Sequence, residues 1–415
     1  MTTVAENIKE YDPKADDFMN APWEFYRRLR ASAPVYRDPR HDIVFVTSYE
    51  LVDRVMKQPA LFSSAVDRAS MRRGGLPQEV LDIRAKAIAP APTMSQNDAP
   101  SHDVFKALVQ PFFTPRKIEA ELNGFIRIRT DELLSAIEPG RPTDVVESLA
   151  VPLPIAVIGR YLGLDEHGYQ ALKKWSDAFA DEIGMLTSEA RAIEIARLTF
   201  ACQNAMLETC SARRLDPKTD IISHLVAARI EDDRALTDSE LFSMLVQMLV
   251  AGNETTTNTL SGGVRRLALD ADLAATLRAQ PDRMGQFVEE LLRLESPVQG
   301  QFRQALADTE LGGVPVPRGT LLHVRLASAN RDEAFFGPDD DTPRLDRKPG
   351  TTHRAFGVGM HFCLGAMLSR FELNVALTAL LNRFDSIELA TDPSELRWHT
   401  HFHLRGLEEL PVIFR

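Results

Sequence analysis

Between positions 102 and 295 apolar residues return every three or four residues, most clearly through 125–137, 154–162, 169–183, 190–210 and 221–230. That period predicts a segment that is almost entirely helical. The clearest element starts at Thr237-Asp238-Ser239-Glu240, whose Ser/Thr-x-x-Glu form is a capping box. The run LFSMLVQMLVAG that follows is apolar nearly all round, as expected of a helix through the centre of a protein. Its helix is predicted to reach about 269 and carries a polar break, Asn253-Glu254-Thr255-Thr256-Thr257-Asn258. Either those groups find partners inside, or the helix surfaces there. A last long helix is predicted from about 364 to 384.

The two ends of the chain read differently. A helix over 23–29 follows Pro22, two strands at 35–37 and 43–46 flank the turn 38–42, and 48–57 returns to helical spacing. After Pro297 strand-like runs (301–305, 321–325) alternate with Gly/Pro turns, and 398–414 alternates like a hairpin. The stretches 63–101 and 331–352 show no period, and a long irregular stretch of this kind is a functional lid or a disordered loop. No repeat and no linker is visible. The expectation is one domain over 1–415, mainly α. A smaller β-rich portion (about 30–60 and parts of 298–415) sits against a helical portion (about 102–296 and 364–384).

Composition narrows the function classes. Of 415 residues 44% are hydrophobic and 26% charged, an ordinary globular balance. Lys and Arg total 48 against 59 Asp and Glu, a net charge of −11, the wrong sign for a nucleic-acid partner. Three cysteines (Cys202, Cys210, Cys363) are too few for a disulfide scaffold or a four-cysteine zinc site and fit a reducing compartment. The first residues lack a signal-peptide pattern, and no run of about 18 apolar residues exists to span a membrane. A soluble cytoplasmic protein is expected.

The sharpest local chemistry is Phe356-Gly-Val-Gly-Met-His-Phe-Cys363-Leu-Gly365. Gly357 and Gly359 permit positive φ, Gly365 leaves room for something flat to approach, and Cys363 stands just before a helix. A helix start presents free N–H groups, which lower a thiol pKa. Other readings compete: a small buried core cysteine, a dinucleotide fingerprint, or a nucleophile. The fingerprint fails because its third glycine falls on Phe362, and the nucleophile has only His361 nearby in sequence. A thiolate ligating a haem iron accounts for the glycines, the helix start and the lone cysteine together.

At these residues the chain resembles the cytochrome P450 family, bacterial soluble type, whose haem-binding pattern Phe-Gly-x-Gly-x-His/Arg-x-Cys-x-Gly is matched at every fixed position. The resemblance extends in order over nearly the whole chain and implies the P450 fold, a triangular prism-like helical domain enclosing haem b with Cys363 as axial thiolate. Glu290-Leu-Leu-Arg293 matches the family's Glu-x-x-Arg, whose ion pair takes a third member from the irregular stretch, here Arg347 or alternatively Arg344. Ala251-Gly252-Asn253-Glu254-Thr255 matches the central-helix motif: Ala251 and Gly252 would lie over the haem face, and Glu254 and Thr255 would relay protons. Phe356, Gly357 and Gly365 would shape the cofactor loop. His102, Lys106, Arg303 and His361 fall where the family contacts the haem propionates, with Lys106 standing where arginine is usual. The substrate pocket would be lined by Val250, Ala251, Val298, Phe402 and His403, along with the 63–101 loop.

The resemblance implies a monooxygenase that inserts one atom of O2 into a C–H bond of a small, mostly apolar molecule and releases the other in water. A haem-binding sensor or carrier without turnover is the alternative, and Glu254-Thr255 argues against it. The chain carries no flavin or iron–sulfur module after Cys363, so electrons are expected from a separate ferredoxin and its reductase, docking on Lys106, Arg347 and Arg354. A monomer is expected. His399, His401 and His403 alternate on one strand face, read as an exposed face rather than a metal site, with His403 turned to the pocket.

Overall fold

The computed structural model describes residues 21–38, 42–66, 75–184, 187–338, 341–347 and 352–415. Helix Asp238–Leu269 is its axis. The capping box forms as the sequence predicts: Thr237 Oγ1 accepts from the Glu240 amide (3.2 Å), and Glu240 Oε2 accepts from the Thr237 amide (2.8 Å). Leu241, Phe242, Met244, Leu245, Met248 and Leu249 are all buried. At roughly 1.5–3 kcal/mol for each large apolar side chain fully buried, packing rather than intrinsic propensity holds this helix. It packs against Pro152–Leu162, Tyr169–Gly184, Met284–Glu295 and Ala366–Arg383.

The polar break does not bring the helix to the surface. Asn253, Thr256, Thr257 and Asn258 are buried. The hydroxyls of Thr255, Thr259 and Ser261 donate to carbonyls four residues back (2.9, 2.8 and 3.0 Å), and Thr257 donates to Ala150 O (3.0 Å). The hydroxyls of this stretch find their partners within the protein, so the helix stays inside and continuous.

Both ends of the chain build one five-stranded sheet in the order Val35–Asp38, Ile43–Val46, Leu321–Val324, Gln301–Ala305, Phe62–Ser63. Leu321–Val324 runs parallel to Ile43–Val46, with Leu322 opposite Val44, and antiparallel to Gln301–Ala305, with Leu322 opposite Arg303. The expected pair of strands near the start is present and antiparallel; the tip of its turn, 39–41, lies outside the described residues.

Two expectations need correction. The stretch 63–101 is not irregular throughout: helix Gln78–Arg84 and the short turn Met94–Gln96 interrupt it, and 67–74 lies outside the described residues. The tail is not a simple hairpin. One bridge joins Trp398 to Leu407, while Pro411–Phe414 pairs with Ile387–Leu389 and with Pro142–Asp144. Alternation identifies a strand without naming its partner. Here the partner is chosen by packing, with Phe414 against Phe384 (ring centroids 4.6 Å). Among the described residues no helix is long and apolar enough to cross a membrane.

Candidate haem-thiolate site

The cysteine loop is shaped by backbone. Gly357 and Gly359 take φ of +67° and +78°, and a side chain on Gly359 would come within 3.0 Å of Met56 O. The Cys363 amide donates to Phe356 O (2.9 Å), closing the loop on itself. Helix Ala366–Arg383 starts three residues later. A side chain on Gly365 would meet nothing within 4 Å, so space opens beside the cysteine. Cys363 is solvent-accessible, whereas Cys202 and Cys210 are buried in the core, the latter with its thiol pKa raised by burial to about 12.

The thiol of Cys363 corrects one expectation. Although the residue is accessible from the open space, the protein packed around its sulfur raises the thiol pKa by desolvation, against the pull of the Gly365 and Ala366 amides and of the Arg370 and Lys106 charges. Helix-start donors alone therefore do not make a free thiolate here; a metal that takes the sulfur would remove the proton outright. Arg370 was not singled out from sequence. Its guanidinium lies over the Phe356 ring (4.6 Å) and is bonded on both prongs to Glu289 (2.6 and 2.9 Å). Burial disfavours the charge on Glu289, but Arg370 and His353 outweigh it and hold its carboxyl at about 2. The only sequence hint was its place seven residues after Cys363, in the helix that follows the loop.

His361 of this loop is joined by His102 and Lys106 from helix Ser101–Val109 and by Arg303. The rings of His102 and His361 meet edge to face, 4.4 Å between centroids, and Lys106 Nζ donates to Met360 O (2.6 Å). Burial first, then the charges of Arg303, His102 and Lys106, lower the His361 pKa to about 4. His361 Nε2 is buried with no hydrogen-bond partner among the described residues. A buried ring nitrogen left this way has room for a polar partner supplied from outside the chain. Arg303, also buried, donates to Phe302 O (2.7 Å) and Gln301 Oε1 (3.1 Å).

On the central helix Ala251 is exposed although Val250 and Asn253 are buried. Gly252 looks the other way: a side chain there would strike Ile158 at 2.8 Å, so its smallness serves helix packing and Ala251 presents the open face. Thr255 Oγ1 donates to Ala251 O (2.9 Å). Glu254 Oε1 accepts from Ser176 Oγ (2.9 Å) and Asn253 Nδ2 (2.8 Å), and Asn253 also reaches Ser176 (2.9 Å). Burial, then the neighbouring Asp177, raises Glu254 to about 7, opposed by Lys173, which is paired with Asp177. Ser176, Asp177 and Lys173 sit on another helix, and nothing in their local sequence announced this partnership.

Glu290 accepts from Arg293 on both oxygens (2.8 and 2.9 Å), from Arg347 Nε (2.5 Å) and from the Arg344 amide (3.0 Å). Burial opposes the Glu290 charge, but these donors hold its carboxyl below the usual range. Both arginines named from the sequence thus reach it, Arg347 by side chain and Arg344 by backbone. Arg354, expected to serve docking, is instead buried and bound to Asp53 (2.7 Å).

Near the end of the chain Val298 bridges to Leu404, and Phe402 stacks on Phe302 (5.8 Å, 8° between planes). His399 is exposed, but His401 and His403 are buried, which overturns the exposed strand face for those two. His401 bonds Ala180 O (2.8 Å) and His403 Nδ1 lies 3.2 Å from His323 Nε2. They face different partners because the segment is a folded turn, not an extended strand. Among the described residues no three His, Cys, Asp or Glu side chains are grouped to hold a metal ion.

An accessible cysteine beside open space, flanked by cations and an unsatisfied imidazole, under a central helix that bares one alanine, fits a flat anionic haem held through sulfur. The class is that of haem-thiolate proteins. The sequence profile described as Cytochrome P450 matches residues 166–404. The polyketide biosynthesis cytochrome P450 PksS of Bacillus subtilis (strain 168) is 32% identical over 409 residues, covering 97% of this chain and 98% of that one. The steroid C26-monooxygenase of Mycobacterium tuberculosis (strain ATCC 25618 / H37Rv) is 34% identical over 390 residues, 94% and 92% of the two chains. The solved structure of cytochrome P450 CREJ in complex with (4-ethylphenyl) dihydrogen phosphate superposes with a TM-score of 0.91 at 27% identity, covering 98% and 100%. The chain belongs to the cytochrome P450 family. It is a monooxygenase whose haem carries an axial cysteine thiolate, and the reading as a sensor without turnover falls.

Proposed function

We propose that Cys363 is the axial ligand and that the protein hydroxylates a small, mostly apolar organic molecule with electrons from a separate ferredoxin and its reductase. The observation that carries the assignment is that Cys363 is the accessible cysteine of the three and opens on the free space at Gly365. His102, Lys106, Arg303 and His361 hold the haem propionates, and the partnerless Nε2 of His361 supplies a donor for one of them. When bound, the haem supplies the O2 and electron-transfer chemistry that no side chain can. Glu254 and Thr255 supply protons, Glu254 drawing on Ser176 and Asp177 behind it. Glu290, Arg293 and Arg347 brace the segment before the cysteine loop.

Val250, Ala251, Val298, Phe402 and His403 border the substrate, whose apolar body suits the valine and phenylalanine and whose polar group meets His403. PksS is named for polyketide biosynthesis and the mycobacterial relative for a steroid. Steroids and polyketides are therefore the first compounds to screen by the spin shift of the iron. The CO-difference spectrum of the reduced protein tests the ligand assignment. Wild type is expected to give the thiolate-type band and Cys363→Ser to lose it with monooxygenase activity. A serine variant that keeps both would remove Cys363 from the site.

A further inference from the structure

Ser239, Ser243, Gln247, Ala251 and Thr255 fall four residues apart on the central helix and form one oblique ridge along its surface. The upper three are polar within a run that is otherwise apolar. All three bond the same piece of chain, residues 89–95. Ser239 Oγ donates to Ala89 O (2.5 Å), and Ser243 Oγ accepts from the Ala91 amide (2.9 Å). Gln247 makes three bonds: its Oε1 accepts from the Ser95 amide (3.1 Å) and hydroxyl (3.0 Å), and its Nε2 donates to Thr93 Oγ1 (2.5 Å). From a second helix Gln203 bonds both the amide and the carbonyl of Ile88 (2.8 and 2.9 Å).

The strap needs these partners for a physical reason. Pro90 and Pro92 remove alternate N–H groups, so Ala89–Pro92 cannot pair as a strand, and its remaining polar groups must be met by side chains. The segment ahead of it is held differently. Helix Gln78–Arg84 packs on helix Glu189–Leu215 with Val80 buried, and surface ion pairs of Arg84 with Glu182 and Arg197 with Glu79 lie at its rim. At its far end the strap runs through Asp98, which accepts from the Ser64 amide (2.9 Å), into the helix that carries His102. Thr93 is fully buried, and Gln247 lies one helical turn from the exposed Ala251.

We infer that Gln247 is a specificity-determining positioning residue: by latching Thr93 and Ser95 to the ridge one turn from Ala251, it sets the width of the substrate chamber. The inference rests on the haem site proposed above. Ser239 and Ser243 hold the strap farther from the reaction centre, while Gln247 is the last fastening before the open face. The prolines and the latch together keep the wall rigid, so molecules are selected by size there.

The test uses the full-length haem-loaded protein, as wild type, Gln247→Leu and Gln247→Glu. The probes are imidazole, which needs only the iron, and 4-phenylimidazole, which must also fit the chamber. Dissociation constants come from the spectral change on binding. In Gln247→Leu the ratio of the two constants is expected to move by about fivefold or more with imidazole itself within about twofold of wild type. Amide exchange over 91–97 should accelerate roughly tenfold in that variant. Gln247→Glu still accepts from Ser95 and from the Thr93 hydroxyl, and should restore both readouts. An unchanged ratio, a parallel change in both ligands, or a strap that exchanges as slowly as wild type in Gln247→Leu would each overturn the inference. The CO-difference spectrum is expected to be the same in all three proteins. A band altered only by Gln247→Leu would also overturn it, since Gln247 would then act on the haem rather than the chamber, whereas loss of the band in wild type would strike at the haem assignment.

Discussion

Glu254 is the residue whose environment most directly predicts behaviour. Burial and Asp177 raise its carboxyl to about 7, so it is a neutral donor below that pH and a carboxylate above it. The fraction of electrons ending in hydroxylated product should therefore show an inflection near pH 7, absent in Glu254→Gln. Stability carries the opposite signature of an ordinary ion pair. An acid whose folded pKa lies above its unfolded value binds more protons when folded, so its contribution weakens as pH rises from the unfolded pKa through about 7. Wild type should lose stability relative to Glu254→Gln between pH 5 and 8, measured by denaturant titration. Identical pH profiles in the two proteins would exclude the buried-acid role. The acid and threonine were legible in sequence because they interrupt an apolar run. Their neighbours Ser176 and Asp177 were not, because a hydroxyl and a carboxylate on a distant helix carry no local signal until packing brings them beside the acid.

At the scale of elements, the central helix was readable from both its ends and its period. Its cap is made of two reciprocal bonds between Thr237 and Glu240, reinforced by Arg234, which bonds Glu240 on both prongs (2.8 and 2.9 Å). Removing the cap should cost about 1 kcal/mol. Thr237→Ala is therefore expected to lower the unfolding free energy, measured by denaturant titration, by that amount while leaving the CO-difference spectrum unchanged. A loss indistinguishable from zero would mean that packing alone fixes this helix end. The polar positions Ser239, Ser243 and Gln247 passed as background within an apolar run, because periodicity weighs hydrophobicity and does not see which loop a hydroxyl must satisfy. The final strand failed in the same way. Its alternation was right, but Val412 and Phe414 pair with Ile387–Leu389 and Pro142–Asp144, a choice made by core packing.

For the whole molecule, electron delivery is the open step. Two of the three cations expected to dock a partner are committed internally, Arg347 to Glu290 and Arg354 to Asp53. Phe362 and Met367 are exposed on either side of Cys363 in sequence, so the surface near the cysteine offers apolar area as well as charge. If a negatively charged ferredoxin docks there through Lys106 and its neighbours, electron transfer from ferredoxin should slow as salt rises from about 0.05 to 0.5 M. A rate that holds or rises with salt would assign the docking to the apolar surface instead. The amino-acid sequence by itself determined the class of fold, the helix that spans the core, the glycine loop around Cys363 and the order of motifs, because each depends on residues within a few turns of one another. Only the tertiary structure decided which side chains bond and neighbour Glu254, which arginines are already bound, where the last strand pairs and what fastens the strap over the central helix. Those outcomes depend on burial and on contacts between segments far apart in the chain, where desolvation and packing, absent from any local pattern, select among partners of equal chemical type.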